Sequence, residues 1–211
     1  PNRGWIYKFT EQGQTAVTPW AMLDQPVYDM ALDAKGNIWA TTGGGALEEL
    51  DSLTGQVIAS YGDDLTQAVA IDPASGLIYV STGQGISVFN PNIHQFSTFS
   101  TVRVEDLQFA PDGSLYGTSW PNQGEILKFD AKGNASVVLK LNAPVDSIAF
   151  GQDGTALADM MFVSTNNPNG QATGSNLYMV DMATFDYVTL ATGGSRGQIL
   201  RTTAQGQVLI T

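Results

Sequence analysis

Four carboxylates at the starts of alternating apolar strands are the residues of this chain best suited to bind a metal ion. They are Asp29, Glu105, Asp106 and Asp146, which fall at or beside one repeated position in three segments. Hard cations such as Ca²⁺ take about six to eight oxygen ligands, largely from carboxylates, amides and water. If the strands converge, the four side chains could form a Ca²⁺ or Mg²⁺ site. The alternative, which we favour, is that they are rim residues that hydrogen-bond the start of each strand.

Aromatic, amide and charged side chains in the loops form a second set, suited to ligand recognition. An exposed Trp is typical of the residues that dominate binding energy at protein surfaces. The opposing interpretation is that Trp120 folds down and caps a neighbouring sheet. The candidate ligand-binding residues are Tyr28, Asp63, Asp64, Arg103, Trp120, Asn122, Asn166, Asn167, Asn169 and Arg196.

The sequence lacks the residues that covalent or acid–base catalysis commonly uses. It has no Cys and a single His, His94, in a turn between two outer strands. No Gly-x-Ser-x-Gly nucleophile motif occurs, and an acid–base site needs a His or a carboxylate with a suitable partner. We therefore assign no catalytic residue. A metal-dependent lyase or hydrolase that uses the four carboxylates is the enzymatic alternative.

A repeat sets the elements that must position these residues. An alternating strand, a turn with a Gly and a second apolar strand recur in 28–42, 67–82, 105–119, 146–165 and 197–211. The turn glycines are about 40 residues apart, a period typical of β-propellers. One second-strand position is filled by Trp39, Tyr79, Tyr116 and Phe162, which we expect in the core between sheets.

The repeat predicts four-stranded blades. The first four copies continue with a third strand, an Asp or Asn turn and a short fourth strand. The fifth copy stops after two strands, and residues 4–14 and 15–20 carry the third-strand and fourth-strand patterns. We predict one all-β domain over 1–211, a β-propeller of about five blades whose last blade is closed by pairing N- and C-terminal strands. The predicted blades are 28–62, 66–102, 104–141, 145–193, and 196–211 together with 4–20.

Two of the repeats resemble known propeller families. The runs LDAKGNIWATT (32–42) and IDPASGLIYVST (71–82) are similar to NHL and YVTN-type repeats, in which such a run joins the inner two strands. The tail over 175–211 resembles propeller modules of large secreted bacterial surface proteins. The resemblance implies a propeller at the cell surface or outside the cell, and it specifies no activity. Streptogramin lyases share this style of repeat and use a His at the channel face, where this chain has none.

Charge and composition argue against nucleic acids and membranes as binding partners. The chain has 9 basic and 20 acidic residues, a net charge of −11, and no basic cluster to hold a phosphate backbone or an anionic membrane surface. No apolar run reaches the roughly 18 residues that a membrane span needs. The chain begins at Pro1 rather than Met, so we expect a piece of a longer protein.

Together these features predict a non-enzymatic binding or scaffold module of a secreted or cell-surface protein, which recognises glycan or protein through its loops. Its loops rest on a rigid scaffold, which leaves them free to vary for recognition. A structural subunit of an extracellular filament or sheath, with self-association, is the further alternative. No cofactor is predicted apart from the possible Ca²⁺.

Overall fold

The computed structural model describes residues 4–10, 12–43, 45–63, 66–167, 169, 173–195 and 198–210. These residues form twenty β-strands joined by turns, and no helix. The chain divides into two compact units, one up to Thr98 and one from Phe99 onward. Within the described residues, no helix is long and apolar enough to cross a membrane.

Short polar turns set the strand boundaries. In the first blade the Asp33 carboxylate accepts hydrogen bonds from the amides of Lys35 and Asn37 at 2.8 and 2.9 Å. Gly36 takes a φ of 89°, which Gly adopts without steric cost. The Asp130 turn repeats this arrangement, and hydrogen bonds from the side chain and backbone of Asn134 lower the pKa of Asp130.

The first unit holds a hairpin and two four-stranded sheets, each in sequence order. The hairpin pairs β1 (Gly4–Ile6) with β2 (Ala21–Leu23). The first blade is β3 (Val27–Leu32), β4 (Ile38–Thr42), β5 (Leu47–Leu50) and β6 (Val57–Tyr61). The second blade is β7 (Thr66–Ile71), β8 (Ile78–Thr82), β9 (Gly85–Asn90) and β10 (Gln95–Ser100), whose last two residues fall in the second unit.

The second unit holds two four-stranded sheets and a hairpin, again in sequence order. The third blade is β11 (Val104–Phe109), β12 (Leu115–Ser119), β13 (Glu125–Phe129) and β14 (Ala135–Lys140). The fourth blade is β15 (Val145–Phe150), β16 (Met160–Thr165), β17 (Thr173–Asp181) and β18 (Tyr187–Ser195). The closing hairpin pairs β19 (Leu200–Thr202) with β20 (Val208–Ile210).

Apolar residues of adjacent blades pack together inside each unit. In the first unit Trp39 packs with Val69 and Phe89, and its indole N–H donates to the Asp33 carboxylate at 3.0 Å. In the second unit Tyr116 packs with Ile148 and neighbouring apolar side chains. Trp39, Tyr116 and Phe162 are buried, as predicted, and Tyr79 is half-buried. Each fully buried large apolar side chain contributes roughly 1.5–3 kcal/mol.

The prediction of about five four-stranded blades is wrong in number. The chain has a β-propeller arrangement with four complete four-stranded blades, and the described terminal strands form two separate two-stranded sheets. The hairpin partner of β1 is Ala21–Leu23 rather than the predicted 15–20, because the ladder starts after Pro19, where the Trp20 amide donates to the Ile6 carbonyl at 2.8 Å. Closure of the ring by the terminal strands stays a prediction.

Candidate functional site

Two of the predicted metal ligands accept hydrogen bonds from the backbone of a neighbouring inner strand. In the first unit the Asp29 carboxylate accepts from the Val69 amide of the next blade at 3.1 Å. In the second unit the Asp106 carboxylate accepts from the Ile148 amide at 2.9 Å and from the Ser147 hydroxyl at 2.6 Å. Since Asp29 and Asp106 are 8% and 6% exposed, these carboxylates link neighbouring inner strands rather than face solvent.

Ser147 occupies the equivalent inner-strand position in the fourth blade and makes a similar contact. The Ser147 hydroxyl accepts from the Leu200 amide at 3.0 Å and so joins β15 to the closing hairpin. Ala68, which takes this place in the second blade, has no side-chain acceptor. In the first, third and fourth blades, an Asp or Ser of the inner strand therefore hydrogen-bonds the next inner strand, a contact that we call the clamp and that the sequence analysis did not identify.

Hydroxyl groups on the second strands complete this arrangement. The inner strand of each blade has a register irregularity near its start. Thr41, Ser81 and Thr118 accept the amides of Asp29, Ala68 and Asp106 at 3.0, 2.9 and 3.0 Å. A buried amide left without a partner is costly, so these hydroxyls stabilise the irregular segment. The Thr or Ser that recurs in every copy of the repeat was the signal that could have revealed this role.

The other two carboxylates lie near the starts of the inner strands β11 and β15 of the second unit, where Asp146 is buried and Glu105 is half-buried. Glu105 accepts from the Asn122 side-chain amide at 3.1 Å, and Asp146 accepts from the Asn166 side-chain amide at 2.6 Å. Among the described residues no three of His, Asp or Glu form a group able to hold a metal ion. The structure therefore pairs these acids with amides, and the metal site stays a prediction.

The Asn122 side chain fixes the loop between β12 and β13. Its amide nitrogen donates to Glu105 and to the Val145 carbonyl at 3.1 and 2.7 Å. Its oxygen accepts from the amides of Val145 and Gly124 at 2.9 and 3.2 Å. An Asn amide has two donors and two acceptor lone pairs, so its capacity is filled. Asn122 positions the loop and has no group left for a ligand.

Trp120, at the start of this loop, is 38% exposed. Its backbone amide donates to the Arg103 carbonyl at 3.1 Å, and the Arg103 guanidinium lies 5.6 Å from the indole ring centroid. In this cation–π pair the positive charge lies over one face of the Trp120 indole at the surface. Trp120 therefore does not bury itself as a cap, and it is available to a partner.

The Asn-rich loop after β16 borders the same area. The Asn166 amide donates to the Pro144 carbonyl at 2.8 Å. The side chain of Asn167 donates to the Thr173 carbonyl at 2.7 Å and accepts from the Asn169 amide at 2.8 Å. We call residues 103–105, 120–124, 144–146 and 166–167 the Trp120 loop cluster. It brings together seven of the predicted site residues: Arg103, Glu105, Trp120, Asn122, Asp146, Asn166 and Asn167.

The remaining predicted ligand-binding residues lie elsewhere. Tyr28 and Asp63 are exposed residues of the first unit, and a Cβ built on Gly43 would lie 2.8 Å from the Tyr28 hydroxyl oxygen. Tyr28 thus covers a glycine that leaves room for its ring. Asp64 and Arg196 lie outside the described residues.

Comparison with known proteins identifies the fold alone. No family model matches the chain, and no curated protein matches its sequence. The fold is similar to a chain of a nidogen/laminin complex, with a TM-score of 0.80 and 12% identity over 100% of this chain and 82% of that one. The fold is also similar to virginiamycin B lyase from Staphylococcus aureus, with a TM-score of 0.67 and 13% sequence identity. The match covers 97% of this chain and 69% of the lyase chain.

A third similar structure is the extracellular domain of a hybrid two-component system from Bacteroides thetaiotaomicron, with a TM-score of 0.65, 13% identity and 97% of this chain covered. The chain spans 29% of that protein's chain and 56% of a matching chain of Kuenenia stuttgartiensis hydrazine synthase. At these identities the likeness carries no activity or partner across. These neighbours are β-propeller proteins, and the chain shares their fold.

Proposed function

We propose that the chain is a binding or scaffold module of a secreted or cell-surface protein, and that it recognises glycan or protein through the Trp120 loop cluster. The observation that carries the proposal is the 38% exposure of Trp120 at the rim of a loop that is otherwise fixed by hydrogen bonds. Trp and Arg are the side chains that most often dominate binding energy at interfaces.

Rigidity of the loop supports this proposal. Asn122 makes four hydrogen bonds, and the Gln123 amide donates to the Ser119 hydroxyl at 3.2 Å. Ordering a flexible loop on binding costs free energy that a fixed loop does not lose. An aromatic side chain on a fixed loop therefore gives more affinity per contact than one on a mobile segment.

The similar structures support an extracellular role. One is a chain of a nidogen/laminin complex, and another is the extracellular domain of a hybrid two-component system. Propeller domains thus serve outside the cell in proteins of this fold. The extracellular location proposed for this chain rests on that likeness and on its acidic composition, in which only 14% of the residues are charged.

Glycan and protein arrays test the proposal, with wild type, Trp120→Ala and Trp5→Ala as probes. Trp5 is 43% exposed on the N-terminal hairpin and is a matched control. We expect Trp120→Ala to lose at least about tenfold in affinity for a retained partner, while Trp5→Ala binds like wild type, since loss of a central interface Trp costs about 2 kcal/mol or more. Equal loss in both variants, or no partner on either array, would contradict a binding role for this cluster.

The outer edge of the fourth blade favours a structural subunit as the second candidate. All nine residues of β18 are exposed and uncharged, and β18 is the edge strand of its sheet. An exposed, uncharged edge offers unpaired backbone groups to a second chain. Sedimentation velocity of wild type and Val188→Lys tests this candidate. A concentration-dependent assembly that the Lys variant abolishes would support it, and a monomer at all concentrations would refute it.

We also propose that the terminal hairpins complete one blade by pairing β1 with β20. Each hairpin supplies two strands, and a blade of this fold has four. Slow hydrogen exchange of the amides in both 5–6 and 208–210 would support this closure, and fast exchange in both segments would refute it.

A further inference from the structure

The Trp120–Arg103 pair has unused hydrogen-bonding capacity. Among the described residues neither the Trp120 indole N–H nor the Arg103 guanidinium has a hydrogen-bond acceptor. Elsewhere such groups are occupied. The buried Trp39 indole donates to Asp33 at 3.0 Å, and Lys8, which lies 3.9 Å from the Trp20 ring centroid, also donates to the Ser52 carbonyl at 2.6 Å.

The free groups define what a ligand must offer. A guanidinium has five N–H donors in a planar fork that fits the two oxygens of a carboxylate. The indole adds one more donor and a flat apolar face. A matching ligand therefore has a carboxylate next to a flat, weakly polar ring face.

The charge of the chain limits the ligand further. A net charge of −11 with only nine basic residues repels a densely charged polyanion, and no second cation lies in the described part of the Trp120 loop cluster. The cluster also contains Glu105 and Asp146, whose carboxylates accept from the side-chain amides of Asn122 and Asn166. A ligand with one carboxylate, held by Arg103, therefore meets less repulsion than a ligand with several. An isolated acidic sugar in an otherwise neutral glycan meets this condition, and a sulfated or polyuronate chain does not.

We infer that the Trp120 loop cluster binds a single uronic acid residue, with the sugar ring on the Trp120 indole and the sugar carboxylate on the Arg103 guanidinium. This inference rests on the proposed function and specifies its ligand class. A neutral sugar would leave the guanidinium without a partner, so the site discriminates by charge as well as by ring shape.

A lysine at position 103 would bind the ligand carboxylate less well than Arg103. A Lys ammonium is a point charge without the planar fork, so it cannot hold both carboxylate oxygens and lie over the indole at the same time. Arg103→Lys therefore separates the contribution of charge from that of geometry.

NMR titration of the full chain with methyl β-D-glucuronide and methyl β-D-glucoside tests the inference, because these sugars differ only at C6. We expect the glucuronide to bind about tenfold or more tightly, since its carboxylate accepts charge-assisted hydrogen bonds from the Arg103 guanidinium that the hydroxymethyl group of the glucoside does not match. Arg103→Gln should abolish this preference, Arg103→Lys should retain only part of it, and Trp120→Ala should weaken both sugars.

Lys132→Gln is the matched control, because it removes one positive charge from the exposed turn at the other end of the same sheet. It should leave the preference unchanged. Equal affinity for both sugars would overturn the inference but keep recognition by the cluster. Binding of neither sugar would overturn it as well, and the array experiment with Trp120→Ala would then decide the proposed function separately. A glucuronide preference that survives Arg103→Gln would contradict the role of Arg103.

Discussion

The buried carboxylate of Asp106 serves three hydrogen-bond donors in the second unit. It accepts from the amides of Leu107 and Ile148 at 2.9 Å each, and from the Ser147 hydroxyl at 2.6 Å. The same inner-strand position is Asp29 in the first unit, where the acceptor role is repeated. Two of the four predicted metal ligands, Asp29 and Asp106, therefore stabilise the contact between neighbouring blades of the same unit.

Asp106→Ala leaves three donors without their acceptor. We expect the free energy of unfolding to fall by about 3 kcal/mol, since each unpaired buried donor costs roughly 1–3 kcal/mol and partial relaxation recovers some of it. Urea denaturation measures this change. The control is Asp112→Ala, whose carboxylate holds only the exposed Ser114 turn. An equal loss of unfolding free energy in both variants would show that the hydrogen bonds of Asp106 do not stabilise the contact between the blades.

Residue identity alone could indicate the repeat but not the partners of its polar side chains. Asp29 and Asp106 were recognised as equivalent because the repeat aligns them. Their acceptor role depends on an amide 40 or 42 residues further along the chain, in another blade. Sequence pattern shows that a polar side chain sits at the start of a strand, but the neighbouring backbone that it meets is fixed only by packing.

At the scale of elements, the loop between β12 and β13 depends on a glycine. Gly124 has a φ of 76°, and a Cβ there would lie 2.3 Å from the Leu141 carbonyl oxygen and 2.7 Å from that of Ala143. The loop thus brings its backbone closer to the chain after β14 than any side chain allows. This close approach positions Asn122, and through it Trp120.

Gly124→Ala should lower the free energy of unfolding by about 2–4 kcal/mol, because backbone strain of 1–3 kcal/mol adds to a direct clash. It should also weaken binding of any partner that Trp120 contacts. Gly113→Ala is the control, since Gly113 has a φ of 80° but nothing within 4 Å of an added Cβ. Thermal or urea denaturation of both variants isolates the clash, and equal effects would show that the close approach is unimportant.

Most elements of the fold could be predicted from the sequence because turn chemistry and alternation are local. The Asp and Asn turns and the second-strand aromatics all lie where the pattern indicates. The second strand of the N-terminal hairpin was predicted at 15–20 but lies at Ala21–Leu23, because Val17 is 98% exposed and the pairing strand begins only after Pro19. A short run of alternating apolar and polar residues is typical of a strand. Whether it pairs depends on which neighbouring strand lies beside it in the folded chain.

At the level of the whole molecule, the sequence pattern predicted the propeller architecture correctly. It also predicted five blades, whereas the described strands form four complete ones. Five copies of the repeat were counted, but one copy has only two strands, and the N-terminal segment supplies two more in a separate sheet. Counting repeats therefore overestimates complete blades when one copy of the repeat contains only two of the four strands.

Metal dependence is a property of the whole molecule that follows from the clamp. Carboxylate oxygens of Asp29 and Asp106 already accept hydrogen bonds from backbone amides. We therefore expect millimolar Ca²⁺ or EDTA to leave the melting temperature of the protein unchanged. Differential scanning calorimetry measures it. A rise with Ca²⁺ that EDTA reverses and Asp146→Asn abolishes would instead establish the metal site.

Binding of a partner through the Trp120 loop cluster can be observed by ¹⁹F NMR of protein labelled with 5-fluorotryptophan. The chain has four Trp residues, so Trp5, Trp20 and Trp39 report on other surfaces and on the core in the same spectrum. Adding the partner that the arrays retain should shift or broaden the Trp120 resonance and leave the other three unchanged. A shift of the Trp5 resonance with an unchanged Trp120 signal would place the binding surface elsewhere and contradict the account.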